Sequence, residues 1–323
     1  MKKFTDIAQF RNVIRELRIR HDYKGKDANG EPIYQHTEPY PTVKFKGTVK
    51  LHGTNAGIVL YAPNNVIEFQ SRESILSLDS DNAGFMREVS AKKLNFLFDG
   101  IEFNDYLAVY GEWCGGNIQK GVAINGLPKM FVIFACKVDG QWIDFRRSDP
   151  SQGIYNINDF QTYEILVDFN VPELSQNKII ELTIAVEEEC PVGKFFGVSG
   201  IGEGIVFTAN HDGEHYMFKS KGEKHSVTKV KTIAAVDVEQ LESMNAFVDY
   251  SVTENRLNQG LEYMRRNKLE ITQKNTGEFL RWVVGDIAKE ETDVMEGNKL
   301  DQKKINPLIS TKARQWYFNN LEV

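Results

Sequence analysis

The chain of 323 residues has little of what marks secreted, membrane-spanning or low-complexity proteins. Its cysteines are Cys114, Cys136 and Cys190, widely spaced and odd in number, so neither a disulfide framework nor a cysteine-based metal site can be read from them. Such a chain suits a reducing compartment. There are only 9 prolines, and no internal repeat or biased tract. No apolar run approaches the roughly 20 residues that cross a bilayer. The first segment, MKKFTDIAQFRNVIRELRIR, contains Asp6 and Glu16 and lacks the apolar core of a secretory signal. It reads as an amphipathic helix. These absences predict a cytoplasmic globular protein with no membrane partner. The length predicts two domains and a core large enough to fold without staples. A net charge of −6 speaks against a non-specific nucleic-acid coat but leaves room for a local basic groove.

After a turn-rich stretch with Gly25, Gly30, Pro32, Pro39 and Pro41, short apolar or alternating runs predict strands in TVKFKGTVKL, AGIVLYA and NVIEFQSR. A helix is predicted over 81–98, where Phe85, Val89 and Phe96 share a face, although Lys92 falls on that face too. YLAVYGEWC and MFVIFACKV read as strands, the second turning into QWIDFR at Asp139-Gly140, a strong hairpin signal. Residues 172–189 read as a helix with Pro191 and Gly193 as stop signals. EGIVFTAN and HYMFKSK read as a second hairpin around Asp212-Gly213. From Val236 the periodicity becomes helical, with Ser251-x-x-Glu254 in the form of a capping box and a last helix in PLISTKARQWYFNNLEV. The expected architecture is α+β: antiparallel sheets flanked by helices over 1–229, then a small all-helical domain over 236–323.

The chemistry centres on Lys50-Leu51-His52-Gly53-Thr54-Asn55, where one predicted strand ends and the next begins. A lysine there, followed closely by glycine, can present its amine to a phosphate that approaches the backbone. Taken alone, such a lysine is more often a surface residue before a turn. The segment resembles motif I of the covalent nucleotidyltransferases, and His52 followed by Gly-Thr-Asn resembles the RNA ligase 2 family, where DNA ligases and capping enzymes usually have aspartate at the histidine position. Further segments resemble the family's motifs in order: Ser71-Arg72, Tyr110-Gly111-Glu112, Phe131-Val132-Ile133-Phe134, Glu203-Gly204-Ile205-Val206 and Lys219-Ser220-Lys221. Gly116-Asn117-Ile118-Gln119-Lys120 is similar to the same family's pattern. The resemblance covers about residues 42–226.

The resemblance implies an ATP-dependent RNA ligase that uses Mg²⁺, with Mn²⁺ as a substitute, and acts as a monomer on nucleic-acid ends carrying a 5′-phosphate and a 3′-hydroxyl. Nicks in duplex RNA or RNA-containing hybrids are the expected substrate, and the compact two-domain plan resembles that of bacteriophage enzymes. Lys50 would become a lysyl-AMP, with His52, Lys219 and Lys221 in the catalytic set. Free lysine has a pKa of about 10.4, so the nucleophile needs nearby cations to yield its proton, and Lys219 and Lys221 are placed to supply them and to neutralise the α-phosphate. Glu203 suits a hard cation, Glu112 the ribose hydroxyls, Arg72 a phosphate, and Asn55 a phosphate or the nucleotide. Val49 and Leu51 flank the nucleophile in the nucleotide pocket. Phe134 is the expected adenine-stacking residue, Phe131 being the other candidate, since Ala135 stands where such families often carry aspartate. The rivals are an ATP-dependent DNA ligase and, from another class, an inactive end-binding protein.

One expectation is geometric. A two-residue turn at Asp212-Gly213 pairs Lys219 with Val206 and Lys221 with Gly204, which leaves Glu203 facing away. A shared pocket therefore predicts an odd-numbered loop or a bulge. His211 and His215 read as loop residues rather than zinc ligands, and Gly200-x-Gly202-x-Gly204 lacks the context of a dinucleotide fold. Glu187, Glu188 and Glu189 read as a solvated helix end, and Cys114 as a packing residue. Lys224, Lys229 and Lys231, together with Arg256, Arg265, Arg266, Lys303, Lys304, Lys312 and Arg314, are candidates for phosphate contact, with solvated helix faces as the competing reading.

Overall fold

Apolar residues at helical spacing place Val13, Ile14 and Leu17 on the buried face of helix α1 (Phe10–Asp22), which leads into a hairpin of β1 (Tyr23–Lys26) and β2 (Pro32–Tyr34). The structure is a computed structural model that describes residues 1–222, 224–225, 244–297 and 300–321. Lys229, Lys231 and the predicted helix start at Val236 lie outside the described residues. By contacts the chain forms two units: Met1–Ile7 with Glu38–Gly222, and Ala8–Thr37 with Glu223–Val323. Helix α1, expected in the first domain, thus groups with the C-terminal helices.

The sheet unit begins with β3 (Thr42–Lys50), β4 (Thr54–Tyr61), β5 (Val66–Ser71) and the short helix α2 (Phe85–Val89). It continues through β6 (Tyr106–Cys114), β7 (Met130–Val138), β8 (Gln141–Ile143), β9 (Ile154–Asn156), β10 (Thr162–Asp168), α3 (Glu173–Glu188), α4 (Pro191–Phe195), β11 (Gly204–His211) and β12 (Glu214–Lys221). One antiparallel sheet has the order β10-β3-β11-β12; the other runs β5-β4-β6-β7-β8, with β9 parallel to β7. In β3 the alternation is strict: Val43, Phe45 and Val49 are buried, while Lys44, Lys46, Thr48 and Lys50 take the other face. The buried face meets Ile205, Phe207 and Phe218, and α3 packs on this sheet, where Thr183 Oγ1 donates to Ser220 Oγ at 2.7 Å. The second sheet buries Ile58, Val109, Phe131 and Ile133 against Phe85, Val89 and Leu97.

Both predicted hairpins form. Asp139 and Gly140, like Asp212 and Gly213, have positive φ at both turn positions, the backbone of a type I′ turn. Several boundaries differ from expectation. The predicted helix over 81–98 is only α2 and a 3-10 turn at Asn95–Leu97, because the apolar stripe is broken at Lys92 and the chain turns out after Val89. Pro191 opens α4 instead of merely stopping α3. Met1–Ile7 is not helical: Lys2 N–H donates to Gln70 Oε1 (3.0 Å), its carbonyl accepts from Gln70 Nε2 (2.6 Å) and Tyr110 Oη (3.0 Å), and Phe4 packs on Tyr110, Phe134 and Trp142.

The helical unit contains α5 (Met244–Ser251), α6 (Glu254–Arg266), α7 (Thr276–Glu290), α8 (Thr292–Gly297) and α9 (Gln302–Phe318). They enclose a core of Phe247, Leu257, Leu261, Phe279, Val283, Ile309 and Tyr317. Thr253, not Ser251, caps α6, its hydroxyl accepting from Arg256 N–H, while Ser251 closes α5. Helix α1 is tied in by Gln9 Nε2 to Glu290 Oε2 (2.6 Å) and Arg11 Nη2 to Glu291 Oε2 (2.7 Å). Among the described residues no helix is long and apolar enough to cross a membrane.

Candidate active site

The segment Leu51–Gly53 carries the chain from β3 in one sheet to β4 in the other, and the candidate site sits at this crossover. Lys50 ends β3 directly opposite Gly204 of β11, and Gly204 in turn stands opposite Lys221 of β12. Residues directly opposite share a face, so Lys50 and Lys221 flank a position that has no side chain. Glu203 fills this gap from the side. Its Oε2 is 2.7 Å from Lys50 Nζ and 3.3 Å from His52 Nδ1, and its Oε1 is 3.2 Å from Lys221 Nζ. Glu203 is only 3% exposed. Burial alone would push its carboxyl up, but Lys50, Lys221 and a hydrogen bond from His52 overrule that and hold it well below the usual carboxylate range. It is therefore ionised at neutral pH.

The β11–β12 hairpin corrects the geometric expectation. Its turn has two residues and its register is unbroken from His211 opposite Glu214 to Gly204 opposite Lys221, with neither an odd loop nor a bulge. Glu203 nevertheless meets both lysines. The reason is Gly204, whose φ of +149° departs from strand geometry at the entrance to β11 and redirects the preceding side chain. Alternation holds inside a strand, and Glu203 lies just outside it. A Cβ on Gly204 would lie 2.0 Å from Ser220 O and 2.9 Å from Lys221 Cα. Gly204→Ala is accordingly expected to cost about 2–4 kcal/mol, read as a lower urea midpoint. An unchanged midpoint would show that this strand entrance relaxes without strain.

The crossover loop is held on two sides. Glu112 Oε1 accepts from Gly53 N–H at 3.0 Å, and Gln119 Nε2 donates to Gly53 O at 3.3 Å. A Cβ at Gly53 would come within 2.4 Å of Trp113 O. Glu112, expected on ribose hydroxyls, thus uses one oxygen to anchor the lysine's loop. Gln119 was legible only as part of a resembling pattern, with no role attached.

The remaining predicted residues divide. Lys219 lies on the lysine face of β12, opposite Val206 and so in line with Thr48. Asn55 stands across from Glu112, and its carbonyl accepts from Asn82 Nδ2 at 3.2 Å. Val49 and Leu51 have buried side chains, so Val49, which pairs with Ile205 on the core face, has only its backbone to offer a nucleotide. Arg72 is exposed and ion-paired with Asp6, and its Nε is 3.8 Å from Glu73. Phe134 falls where the β6–β7 register shifts, between the pairs Tyr110–Ala135 and Gly111–Ile133, and packs edge-on against Phe4 with ring centroids 5.0 Å apart. Phe131 is fully buried in the opposite core, against Phe85. Of the two, only Phe134 keeps partial exposure. Lys46, missed in the sequence, shares the Lys50 face of β3; burial and then Arg146 push its ammonium down, and it donates to Asn158. The alternation Lys44, Lys46, Lys50 was the available signal. Arg256 is buried in ion pairs, which removes it from the phosphate-contact candidates, and Lys312 pairs with Asp249 at 2.7 Å.

Among the described residues Glu203 belongs to no cluster of three or more metal-ligating side chains. One carboxylate suffices for a hard cation such as Mg²⁺, which keeps water and takes its other oxygens from substrate phosphates. The donor set fits that mode and does not fit an all-protein cage.

The two sheets are thus joined by a lysine-bearing crossover on which a second lysine and a glutamate converge. The sequence model of RNA ligase matches residues 44–231, more than half of the chain, and the chain belongs to the RNA ligase family. The fold is similar to that of a Naegleria gruberi RNA ligase solved with PPi, at 18% identity over 69% of this chain and a TM-score of 0.41. Structures of mutants of that ligase with ATP and Mn match at 18% and 17% identity, each over 69% of this chain and with a TM-score of 0.42. The match spans 56% of the Naegleria chain. No curated protein matches the sequence.

Proposed function

We propose that the protein is an ATP-dependent RNA ligase that joins a 3′-hydroxyl to a 5′-phosphate, with nicks in duplex RNA or RNA-containing hybrids as its substrate. The observation that carries this reading is the Glu203 carboxylate gripped by Lys50, His52 and Lys221 inside the segment that matches the family. Lys50 Nζ attacks the α-phosphorus of ATP; the N–P bond forms as the nitrogen gives up a proton to water, the bond to the oxygen that bridges to the β-phosphate breaks, and pyrophosphate leaves. A 5′-phosphate oxygen of the nucleic acid then takes the AMP from Lys50, and the 3′-hydroxyl displaces AMP to close the phosphodiester. Lys219 and Lys221 offset charge on the phosphates, and Glu203 gives up Lys50 as the amine turns to phosphorus. Glu203 is the residue that would hold a divalent ion, which would supply further charge neutralisation at the phosphates. Phe134 stacks on adenine, Glu112 receives a ribose hydroxyl, Arg72 meets phosphate, and Asn55 meets phosphate or the nucleotide.

The test is a sealing assay with ATP and Mg²⁺ on matched nicks in RNA, DNA and mixed duplexes, with ATP labelled at the α-phosphate to follow the protein. Covalent label together with sealing of RNA-containing nicks is the expected result. Sealing confined to all-DNA nicks would instead identify a DNA ligase, and no label from any nucleotide would leave an end-binding protein.

A further inference from the structure

The β1–β2 hairpin has little of its own to hold it. All of its residues except one are exposed, and a lone two-stranded ribbon is marginal in water. Its backbone closes through Gln35 N–H, which donates to Asp22 O at 2.7 Å. That bond returns the chain to the C-terminal end of α1, where His21 and Asp22 are consecutive, and sets His36 beside them. Asp22 Oδ1 lies 3.2 Å from His21 Nδ1 and 3.0 Å from His36 Nδ1. The ligand atoms of the three side chains all lie within 4.8 Å of one another, and the two rings have centroids 6.1 Å apart.

We propose that His21, Asp22 and His36 form a binding site for a transition-metal ion, zinc foremost, which clips the hairpin to the end of α1. Around tetrahedral zinc with bonds of about 2.0–2.1 Å, neighbouring ligand atoms stand about 3.3–3.4 Å apart. Both nitrogen–oxygen spacings fall within a few tenths of an ångström of that edge, and the nitrogen–nitrogen spacing, within 4.8 Å, closes onto the same edge by movement of the two rings. Two imidazoles and one carboxylate select zinc, copper or nickel over magnesium and calcium, which want oxygen. Three protein ligands leave the fourth position to water. The clip closes a loop between residues 14 positions apart, Asp22 and His36, and closing such a loop removes freedom from the unfolded chain. The competing account is that Asp22 merely accepts a hydrogen bond from each ring. The site shares no residue with the Lys50 and Glu203 grouping and stands whether or not the ligase reading does.

The experiment uses the metal-free full chain, titrated with Zn²⁺ in competition with a chromophoric chelator near neutral pH, where imidazole is available as a ligand. A single zinc ion per chain is expected, with a rise in melting temperature. His36→Ala and His21→Ala are each expected to weaken that zinc by at least about tenfold and to abolish the melting shift. Glu203→Gln is expected to leave it in place, which separates this ion from any cation at the nucleotide site. A wild-type chain that takes up no stoichiometric zinc, or zinc affinity untouched by both histidine variants, overturns the proposal.

Discussion

Lys50→Ala is expected to erase the covalent label that the wild-type chain acquires from ATP, by a factor on the order of 10⁴ or more, since a lost nucleophile is not replaced by the rest of its site. The geometry explains why no neighbour takes over. Lys221 is tied to Glu203 Oε1 on a different strand, and Lys219 stands two residues earlier in β12. The approach of Lys50 is set by a crossover loop pinned through both Gly53 N–H and Gly53 O. Lys50→Ala also leaves Glu203 with one ammonium partner fewer, so loss of label could follow from local rearrangement. Lys50→Arg separates the two causes. A guanidinium keeps the positive charge beside Glu203 but does not deprotonate in proteins, so it cannot become the attacking amine. Lys50→Arg is expected to melt close to wild type and still take no label. A labelled Lys50→Arg chain would place the nucleophile elsewhere and sink the assignment.

Much of this site was legible because its parts are local. The two Asp-Gly turns follow from short-range chemistry and form where the sequence put them, whereas the crossover lysine stood out through the resemblance of its segment and not through its local chemistry. What stayed hidden depends on partners far along the chain. Glu203 lies 153 residues from Lys50, and its orientation hinges on one φ angle at Gly204 that a period-two rule does not contain. Phe4 would suit an amphipathic helix as well as the aromatic cluster it joins, and only Gln70 and Tyr110 decide for the cluster. The strand β10, in TYEILVD, is an edge strand whose alternation is clear in burial but blurred in sequence by Leu166, an apolar residue on the exposed face. Ser251 and Thr253 both suit a cap, and the helix start chooses between them. An arginine in a helix reads as solvated by default, which is why Arg256 was misjudged.

That arginine carries the second large effect. Arg256 and Glu291 are both 0% exposed. Arg256 Nη2 is 2.9 Å from Glu291 Oε1, its Nε is 2.8 Å from Asp286, and its Nη1 donates to the carbonyl of Ser251, so one guanidinium ties α6 to the ends of α5, α7 and the residue before α8. Glu291 spends its other oxygen on Arg11 of α1 at 2.7 Å. Arg256→Met preserves much of the side-chain volume yet leaves the buried Glu291 carboxylate with Arg11 as its remaining cation and takes the donor from the Ser251 carbonyl. The expected cost is about 3–5 kcal/mol, the range for breaking a buried pair by removing one partner. Urea unfolding followed by circular dichroism measures it. The penalty is mostly that of the charge left behind, so Arg256→Met combined with Glu291→Gln is expected to be less destabilised than the sum of the two single changes. Arg256→Lys is expected to recover little, because a single ammonium cannot reach Asp286, Glu291 and the Ser251 carbonyl with the fork that a guanidinium offers. A loss below about 1 kcal/mol for Arg256→Met would mean that water reaches the network and that the pair is no more than a surface bridge.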